Sequence, residues 1–475
     1  MTPTRPNDSW LAGKRALVMG IGTRQGGLGV TRYLVDAGAD VTVTDLRDER
    51  SLAPTLRELT GLPVRYVLGE HRREDFEQAE VVVRNPGVPL DSPWLAIARD
   101  AGAQIEMEMS LFFRACPAPI VGITGTKGKT TTSTLCAAIL SRFRPDTVVA
   151  GNMGRSALAC LPDIASDTPV VIELSSWQLE GLGEHGLSPH IAIFTNLSPD
   201  HLNRYPSMEA YLDAKLNIAR FQRSSDWFVV NRDDDRVWRS RDVGEATIVP
   251  FSLHSEVAQG AYVDGDRLVW RWDGQETAFA SRSDLGLAGD HNVANALAAA
   301  SAALLTGASA ENVREALRST NTVPDRQECV AQINGVSFIN DTTATTPAAV
   351  TAAIDRFRDR SIILIAGGSE KGVSLDGLAR QIADKVDAVV LLAGAATGEL
   401  RRLLQQEQAA DVRGPFDSMD AAVDAAIQAA SSGAVILLSP GCASFGMFRD
   451  EFHRGQAFRD AVHRIQQGDV GRGSA

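Results

Sequence analysis

The chain has 475 residues, of which 44% are hydrophobic, 22% charged and 6% aromatic, a composition typical of a globular protein with large cores. Its formal net charge of −12 and pI near 5.2 argue against a general nucleic-acid-binding protein, which would carry a basic surface. Domains typically run to about 100–200 residues, so this length favours roughly two to four of them.

Cysteine usage and apolar content indicate a cytoplasmic enzyme or binding protein. The cysteines number five and form no CxxC pair, which favours reduced thiols. The N-terminal stretch MTPTRPNDSW lacks the apolar centre of a signal peptide. The longest apolar stretch, VANALAAASAALL, is too short to cross a bilayer. We therefore expect a cytoplasmic monomer without nucleic-acid or integral-membrane association.

The first segment, residues 1–116, has the pattern of a Rossmann-like α/β domain. KRALVMGIG predicts a buried strand that ends in a glycine turn, VTRYLVDAGA a helix, and DVTVTD a second strand that ends in an acid. GIGTRQGGLG misses the dinucleotide motif GxGxxG, because Gln25 stands where the third glycine belongs. Gly26 and Gly27 follow it, which predicts a lengthened glycine loop and disfavours a dehydrogenase.

The second segment, residues 117–321, opens with a buried strand, a glycine loop and a long helix in APIVGITGTKGKTTTSTLCAAILSRF. A strict P-loop, GxxxxGK[ST], would need a glycine at Ile123, whereas Gly122 and Gly125 stand on either side of it. Small residues still allow backbone N–H groups to surround a phosphate in front of a helix N-terminus. Lys129 can reach the outer phosphates and Thr130 can bind Mg²⁺, so we predict a nucleotide site.

Polar residues follow the next predicted strands of this segment. ELSSWQLE places Glu173 and Ser175 after one strand, and TNLSPDHLNRY places His201 after another. YLDAKLNIA places Lys215 on the following helix. Ligands collect at the carboxyl ends of parallel strands, so these residues indicate a divalent-cation site. A lysine is an unusual neighbour for a hard cation, which prefers oxygen ligands.

The third segment, residues 322–475, has the pattern of a further α/β unit. Its predicted strands, separated by helical stretches such as DGLARQIADKV, are RSIILIAGG, DAVVLLAG and GAVILLSPG. The predicted fold is therefore α/β with three domains. A Rossmann-like N-terminal domain and a Rossmann-like C-terminal domain would stand on either side of a P-loop-type ATPase domain with a parallel sheet.

Five stretches together resemble the Mur ligases, the ATP-dependent amino-acid ligases of peptidoglycan precursor synthesis: GITGTKGKTTT, ELSSWQLE, NLSPDHLNRY, DAKLNI and GDHNVANALAA. The resemblance covers nearly the whole chain. NPGVP, INDTTATTP and LLSPGCASFGMF are most similar to the members that act at the second step. The resemblance therefore implies a ligase that adds D-glutamate to UDP-N-acetylmuramoyl-L-alanine through an acyl phosphate.

The resemblance also implies roles for individual residues, beginning with ATP. The ATP phosphates would bind Gly125, Thr126, Lys127, Gly128, Lys129, Thr130 and Thr131. Adenine would lie near Asn292 and Asn295, while Arg326 and Asp341 would complete the ATP site. One Mg²⁺ would be held by Thr130 and Glu173, and a second by His201 and a Lys215 carbamylated by CO₂. The catalytic residues would be Lys129, Glu173, His201 and Lys215.

Two further groups of residues are implied to bind the other substrates. The UDP-sugar would contact Gly22, Asp45, Arg47, Asn152 and Ser175. The incoming amino acid would contact Thr345, Lys371 and Ser444. The chain departs from the family pattern at Thr343, where relatives have a lysine, and at Glu451, where they have an aromatic residue. These departures leave open whether the acceptor is D-glutamate, L-glutamate or another compound.

Three alternatives remain beside this hypothesis. The chain could be an L-glutamate-adding variant or a folylpolyglutamate-type ligase, although folate ligases usually begin at the ATPase domain. It could also be a nucleotide-dependent regulator without ligase chemistry, which the combination of Lys129, Glu173, His201 and Lys215 disfavours. ATP and amine sites on different domains further predict that the domains close when substrates bind.

Overall fold

The computed structural model describes residues 6–23, 25–200, 204–370 and 373–467. The chain divides into two compact units, Met1–Asn321 and Thr322–Ala475. Parallel strands buried on both faces form the centre of each unit, as expected for apolar runs such as those at 120–124 and 362–366. The domain boundaries near residues 116 and 322 stay predictions.

The N-terminal part of the first unit contains a parallel sheet, which the described residues build in the order β3-β2-β1-β4-β5. Its strands are β1 (Arg15–Met19), β2 (Asp40–Asp45), β3 (Val64–Leu68), β4 (Val81–Arg84) and β5 (Gln104–Glu106). Its helices are α1 (Gln25–Asp36), α2 (Glu49–Glu58), α3 (Arg73–Gln78), α4 (Pro93–Asp100) and α5 (Glu108–Ala115). Strands β1 and β2, joined by helix α1, confirm the predicted Rossmann-like pattern.

The predicted long glycine loop was wrong. Helix α1 begins at Gln25, so Gly26, Gly27 and Gly29 lie inside the helix. Close packing explains this use of glycine, because a Cβ on Gly27 would stand 1.9 Å from the carbonyl oxygen of Ile21. Glycine costs up to about 1 kcal/mol within a helix relative to alanine, yet here it permits an approach that no other residue allows.

The central part of the first unit contains a mixed sheet, which within the described residues has the order β14-β13-β12-β11-β10-β9-β6-β8-β7. Its strands are β6 (Ile120–Thr124), β7 (Val148–Gly151), β8 (Val170–Glu173), β9 (Ile191–Phe194), β10 (Trp227–Asn231), β11 (Thr247–Ser252), β12 (Gly260–Asp264), β13 (Arg267–Trp272) and β14 (Gln275–Ser281). Its helices are α6 (Lys129–Phe143), α7 (Ser176–Glu184), α8 (Met208–Arg220), α9 (Asp235–Arg239), α10 (Asp290–Leu305) and α11 (Ala310–Ser319). Strands β6 to β12 are parallel, whereas β13 and β14 add an antiparallel edge.

The second unit is a third α/β layer structure, and the strands described there have the order β15-β16-β20-β17-β18-β19. Its strands are β15 (Glu328–Ile333), β16 (Val336–Asn340), β17 (Ile362–Ala366), β18 (Ala388–Leu392), β19 (Val412–Phe416) and β20 (Val435–Leu438). Its helices are α12 (Pro347–Arg356), α13 (Asp376–Lys385), α14 (Thr397–Gln406), α15 (Met419–Ala429) and α16 (Glu451–Gln466). All strand pairs except β15–β16 are parallel, as the predicted fold class requires.

The cysteines and the helix lengths are the remaining general features of the fold. Each of the five cysteines is a free thiol, and Cys136, Cys160 and Cys442 are buried. In the ranges that the structure covers, every helix is too short or too polar to cross a membrane.

Candidate functional site

The predicted phosphate loop connects the buried strand β6 to helix α6. Gly125 and Gly128 have φ angles of 152° and 83°, a region of backbone conformation that favours glycine. A Cβ on Gly125 would stand 1.9 Å from Thr195 Oγ1, and one on Gly128 would stand 2.3 Å from Asn295 Oδ1. The glycines therefore let the loop bend between the end of β9 and the start of α10, in front of the N-terminus of α6.

The lysine at the start of α6 folds back over this loop. Lys129 Nζ donates hydrogen bonds to the carbonyl oxygens of Gly125 at 3.0 Å and Thr126 at 3.1 Å. Its charge thus lies beside the backbone N–H groups of the loop, where an anion would be stabilised. The exposed Lys127 is fixed through its backbone N–H, which donates to Asn196 Oδ1 at 2.9 Å. Thr130 follows Lys129 in the first turn of α6.

A buried carboxylate stands at the end of β8, the strand adjacent to β6. Glu173 is 2% exposed, and its Oε1 accepts a hydrogen bond of 2.8 Å from Asn152 Nδ2. Its Oε2 is buried and has no hydrogen-bond partner within the described part of the chain. A buried carboxylate oxygen without a partner is costly, and a divalent cation would satisfy it. Ser175 caps α7 through a hydrogen bond with the N–H of Gln178.

The buried amine of Lys215 contacts the end of β6, next to the strand that carries Glu173. Lys215 is 1% exposed on α8, and its Nζ donates to Gly125 O at 2.9 Å and to Thr124 Oγ1 at 3.4 Å. Burial is the main reason that the pKa of Lys215 falls well below its usual value, and the charge of Lys129 lowers it further. The amine therefore favours its neutral, nucleophilic form. His201 lies outside the described residues.

The two asparagines of the predicted adenine site anchor the start of α10. Asn295 is buried, and its Oδ1 accepts a hydrogen bond of 3.3 Å from Thr132 Oγ1 of α6. Its Nδ2 donates to Asn292 Oδ1 at 3.4 Å, while Asn292 Nδ2 donates to Ala288 O at 2.7 Å. The Asn295 side chain lies beside Gly128 of the phosphate loop, and Asn292 adjoins Asn295. The contact of both asparagines with adenine stays a prediction.

The predicted UDP residues of the first sheet lie together at the carboxyl ends of β1 and β2. Asp45 is buried, and its two oxygens accept hydrogen bonds from the N–H of Gly22 at 3.0 Å and the N–H of Arg47 at 2.9 Å. Asp45 thus joins the two strand ends. The side chain of Arg47 is 49% exposed, 3.7 Å from Asp45 at its nearest nitrogen, and can contact an anion from solvent.

The second unit carries the remaining residues predicted for ATP. Asp341 follows β16 and accepts hydrogen bonds from Ser439 Oγ at 2.9 Å and from the N–H of Gln327 at 3.2 Å. Burial raises the pKa of Asp341 to about 6, although these hydrogen bonds and the charge of Arg326 act in the opposite direction. Arg326 is exposed on the loop that precedes β15.

A cavity of about 270 Å³ in the second unit includes one predicted amino-acid contact, Thr345. Ser369, Gly441 and Cys442 also line it, at the carboxyl ends of β17 and β20. Ser444 lies two residues beyond Cys442, and its buried Oγ has no hydrogen-bond partner among the residues described. Lys371 lies outside the described residues. The cavity brings Thr345 close to the chain segment that carries Ser444.

Sequence reasoning missed the arginine that joins the loops around this cavity. Arg454 of α16 is fully buried and donates to Thr342 Oγ1 at 3.0 Å, Thr342 O at 2.9 Å and Cys442 O at 3.2 Å. Burial lowers its pKa to about 10. The available signal was an arginine on the apolar side of a helix, beside Gly455 and Phe458, which are also buried.

Among the described residues, no cluster of three or more histidine, cysteine or acidic side chains forms a metal site.

Comparisons with known proteins match nearly the whole chain. Three family models fit consecutive parts of the chain: Mur ligase MurD-like, N-terminal domain over residues 14–106, Mur ligase middle domain over 123–303, and Mur ligase, glutamate ligase domain over 325–442. A curated protein of Roseiflexus sp. (strain RS-1) is 51% identical over 468 residues, covering 95% of this chain and 99% of the relative. One from Geobacter metallireducens is 39% identical over 461 residues, covering 97% and 99%. Both relatives are named UDP-N-acetylmuramoylalanine--D-glutamate ligase.

Solved structures share the fold at low identity. UDP-N-acetylmuramate-alanine ligase MurC from Thermotoga maritima superposes with a TM-score of 0.60 and 22% identity, covering 96% of this chain and 100% of that chain. A murein peptide ligase from Psychrobacter arcticus gives 0.54 and 17%, covering 98% and 100%. These likenesses support the three-part α/β fold.

Proposed function

The chain belongs to the Mur ligase family, and from this premise we propose that it joins D-glutamate to UDP-N-acetylmuramoyl-L-alanine at the expense of ATP. Two curated relatives, 51% and 39% identical over nearly the full length, carry the name of this activity. The observation that carries the proposal within the structure is the group formed by the phosphate loop, Lys129 and the buried Glu173. The reaction is an acid–amino-acid ligation of peptidoglycan precursor synthesis.

The proposed reaction has two steps. The carboxylate of the L-alanyl group attacks the γ-phosphorus of ATP, which forms an acyl phosphate and releases ADP. The amine of glutamate then attacks the acyl carbon, forms the amide and releases inorganic phosphate. The first step brings two anions together, so catalysis requires positive charge at the phosphoryl group. Lys129 supplies such a charge directly above the loop.

Magnesium fits the residues beside this loop. The second oxygen of Glu173 is buried without a partner among the described residues, as a cation ligand would be before the cation binds. Thr130 and Glu173 would hold one Mg²⁺, and His201 with Lys215 would hold a second. Bound Mg²⁺ would neutralise phosphate charge. Asn152 keeps the other oxygen of Glu173 in place.

A carbamate on Lys215 would make this lysine an oxygen ligand. Only a neutral amine adds to CO₂, and burial favours the neutral form of Lys215. The addition forms a C–N bond, releases one proton and converts the side chain to an anion. That change would suit a cation site better than an ammonium group does.

Substrate contacts are proposed on the remaining groups of residues. Gly22, Asp45, Arg47, Asn152 and Ser175 would bind the UDP-sugar. Arg326, Asp341, Asn292 and Asn295 would complete the ATP site. Thr345, Lys371 and Ser444 would bind the incoming glutamate. We assign these roles to domains at 1–116, 117–321 and 322–475, in a monomer that works in the cytoplasm, where ATP is available.

Phosphate release tests the function directly. The wild-type protein with ATP, Mg²⁺ and UDP-N-acetylmuramoyl-L-alanine should release phosphate when D-glutamate is added. Release with L-glutamate alone would keep the mechanism and change the product, and would connect the change to Thr343 and Glu451. Release with neither acceptor would overturn the proposed function. Lys385→Ala, which removes a surface ion pair with Asp355, is a control that should match the wild type.

A further inference from the structure

A seam of small and buried residues joins helix α1 of the first sheet to the loop that follows β7. Gly29 of α1 faces Ser156 of this loop so closely that a Cβ would stand 1.9 Å from Ser156 Oγ and 2.7 Å from Ser156 Cβ. Gly26, one turn earlier, faces Glu108, where a Cβ would stand 2.7 Å from Oε2. The glycines inside α1 therefore serve this close approach.

Glu108 holds the loop side of the seam. It begins α5, and its Oε1 accepts hydrogen bonds from Ser156 Oγ at 2.5 Å and from the N–H of Ala157 at 3.0 Å. Burial of a carboxylate is costly unless hydrogen bonds compensate it, and here the donors come from one short segment. Burial raises the pKa of Glu108, and its hydrogen bonds with Ser156 and the backbone N–H groups of Ala157 and Leu158 oppose that rise. The carboxylate thus fixes the loop against α5.

The seam lies between two groups of proposed substrate contacts. Gly22 and Asp45 are bonded to each other at the edge of the first sheet, and α1 begins three residues after Gly22. Asn152 lies four residues before Ser156 and is bonded to Glu173 at the cation site. One group would contact the nucleotide half of the UDP-sugar. The other would contact the half that carries the reacting carboxylate.

We propose that Glu108, Gly29 and Ser156 set the separation between these two halves of the UDP-sugar site, with Glu108 as a positioning residue. The proposal rests on the proposed function, because only a substrate that spans both halves makes the separation matter. A ligand that bridges two rigid half-sites gains affinity from their fixed spacing. A misplacement of about 1 Å at the reacting groups can also cost ~100-fold in reaction rate. UDP alone contacts one half and is indifferent to the spacing.

Gly29→Ala tests the seam by forcing α1 away from Ser156. We expect the Kd of UDP, measured by titration calorimetry, to stay within about twofold of the wild type, because the nucleotide half itself is unchanged. The Kd and KM of UDP-N-acetylmuramoyl-L-alanine should rise by about tenfold or more, because the two half-sites no longer engage the substrate together. The KM of ATP should stay constant. Ser156→Gly in the same chain removes the clashing atoms, while the N–H of Ala157 still donates to Glu108, so it should restore part of the lost affinity.

Glu108→Gln keeps the shape of the side chain and removes its charge. Like Gly29→Ala, it should raise the Kd of UDP-N-acetylmuramoyl-L-alanine and leave the Kd of UDP nearly unchanged. Its matched control is Glu106→Gln, a second buried carboxylate that bonds Ser110 and Arg114 and lies on the same segment. That control should lower the unfolding temperature without changing the ratio of the two dissociation constants.

Equal weakening of UDP and of the full substrate in Gly29→Ala would overturn the proposal, because α1 itself would then be damaged. Unchanged binding of both ligands, or no recovery in the double variant, would overturn it as well. Should Gly29→Ala fail to fold, the same two dissociation constants in Glu108→Gln decide the question. A wild-type protein that binds no UDP-sugar would instead refute the proposed function.

Discussion

At the residue scale, the chemistry of the central site depends on two buried ionisable side chains, the carboxylate of Glu173 and the amine of Lys215. Glu173 keeps one oxygen buried without a described partner, and Lys215 buries an amine against the carbonyl oxygen of Gly125. A carboxylate without a donor favours a cation, and a desolvated lysine favours the neutral amine. Glu173 ends β8, and Lys215 of α8 contacts Thr124 and Gly125 at the end of β6. Both side chains therefore lie at the carboxyl ends of parallel strands, where ligands are expected.

Lys215→Ala should reduce phosphate release by on the order of 100-fold, as expected when the environment of a bound metal is disturbed. Added formate or acetate should restore part of the activity, because a small carboxylate can occupy the place of the carbamate. Steady-state assays with and without these anions measure both effects. Full activity in the alanine variant would remove Lys215 from the mechanism.

Asp341→Asn should change how stability depends on pH. Burial raises the pKa of Asp341 from its ordinary 3.8 to about 6, so its contribution to stability is present below pH 3.8 and is lost as the pH rises through 6. The asparagine variant lacks this loss and should gain up to about 3 kcal/mol on the wild type between pH 4 and pH 8, since one pKa unit corresponds to ~1.4 kcal/mol.

Urea unfolding of both proteins at these two pH values measures the difference. The exposed Asp417→Asn is a control that should follow the wild type at both values. A constant difference between Asp341→Asn and the wild type across this range would contradict the assigned burial effect.

At the element scale, the phosphate loop shows how a strand end, a helix start and a neighbouring strand act together. Strand β6 pairs with β8 on one side and β9 on the other, so the loop emerges between the segments that carry Glu173 and Thr195. Thr195 Oγ1 donates to Lys127 O at 2.7 Å and fixes the middle of the loop. The loop conformation therefore depends on the neighbouring strand as much as on its own glycines.

Gly125→Ala should displace this loop, because its Cβ would stand 1.9 Å from Thr195 Oγ1 and its φ of 152° favours glycine. We expect the KM of ATP to rise at least ~10-fold and the protein to lose about 1–3 kcal/mol of stability. Gly377→Ala is the matched control, because a Cβ at this helical position meets no atom within 4 Å. It should leave the KM unchanged and gain up to ~1 kcal/mol. An unchanged KM in Gly125→Ala would show that the loop tolerates a side chain.

At the scale of the whole molecule, the residues predicted to bind ATP are divided between two compact units. The phosphate loop belongs to Met1–Asn321, whereas Arg326 and Asp341 belong to Thr322–Ala475. An acyl phosphate is readily hydrolysed, so a ligase gains from excluding water while the intermediate exists. Closure of the domains on substrate binding, as the sequence predicts, would provide that exclusion.

Small-angle X-ray scattering can detect this closure. We expect the radius of gyration to fall when a non-hydrolysable ATP analogue, Mg²⁺ and UDP-N-acetylmuramoyl-L-alanine are added together. Lys129→Ala should weaken nucleotide binding and reduce the change. An unchanged radius in the saturated wild-type protein would contradict ligand-driven closure.

The sequence by itself determined the α/β class, the strand–loop–helix order around Lys129 and the strand that ends at Glu173, because buried runs and glycine turns are local signals. It did not predict the antiparallel strands β13 and β14, and β14 begins with four exposed residues that interrupt the apolar pattern. Only the tertiary structure showed that Gly26 and Gly29 serve close packing against Glu108 and Ser156. Such contacts join residues distant in the chain, and their steric fit and desolvation depend on which elements become neighbours.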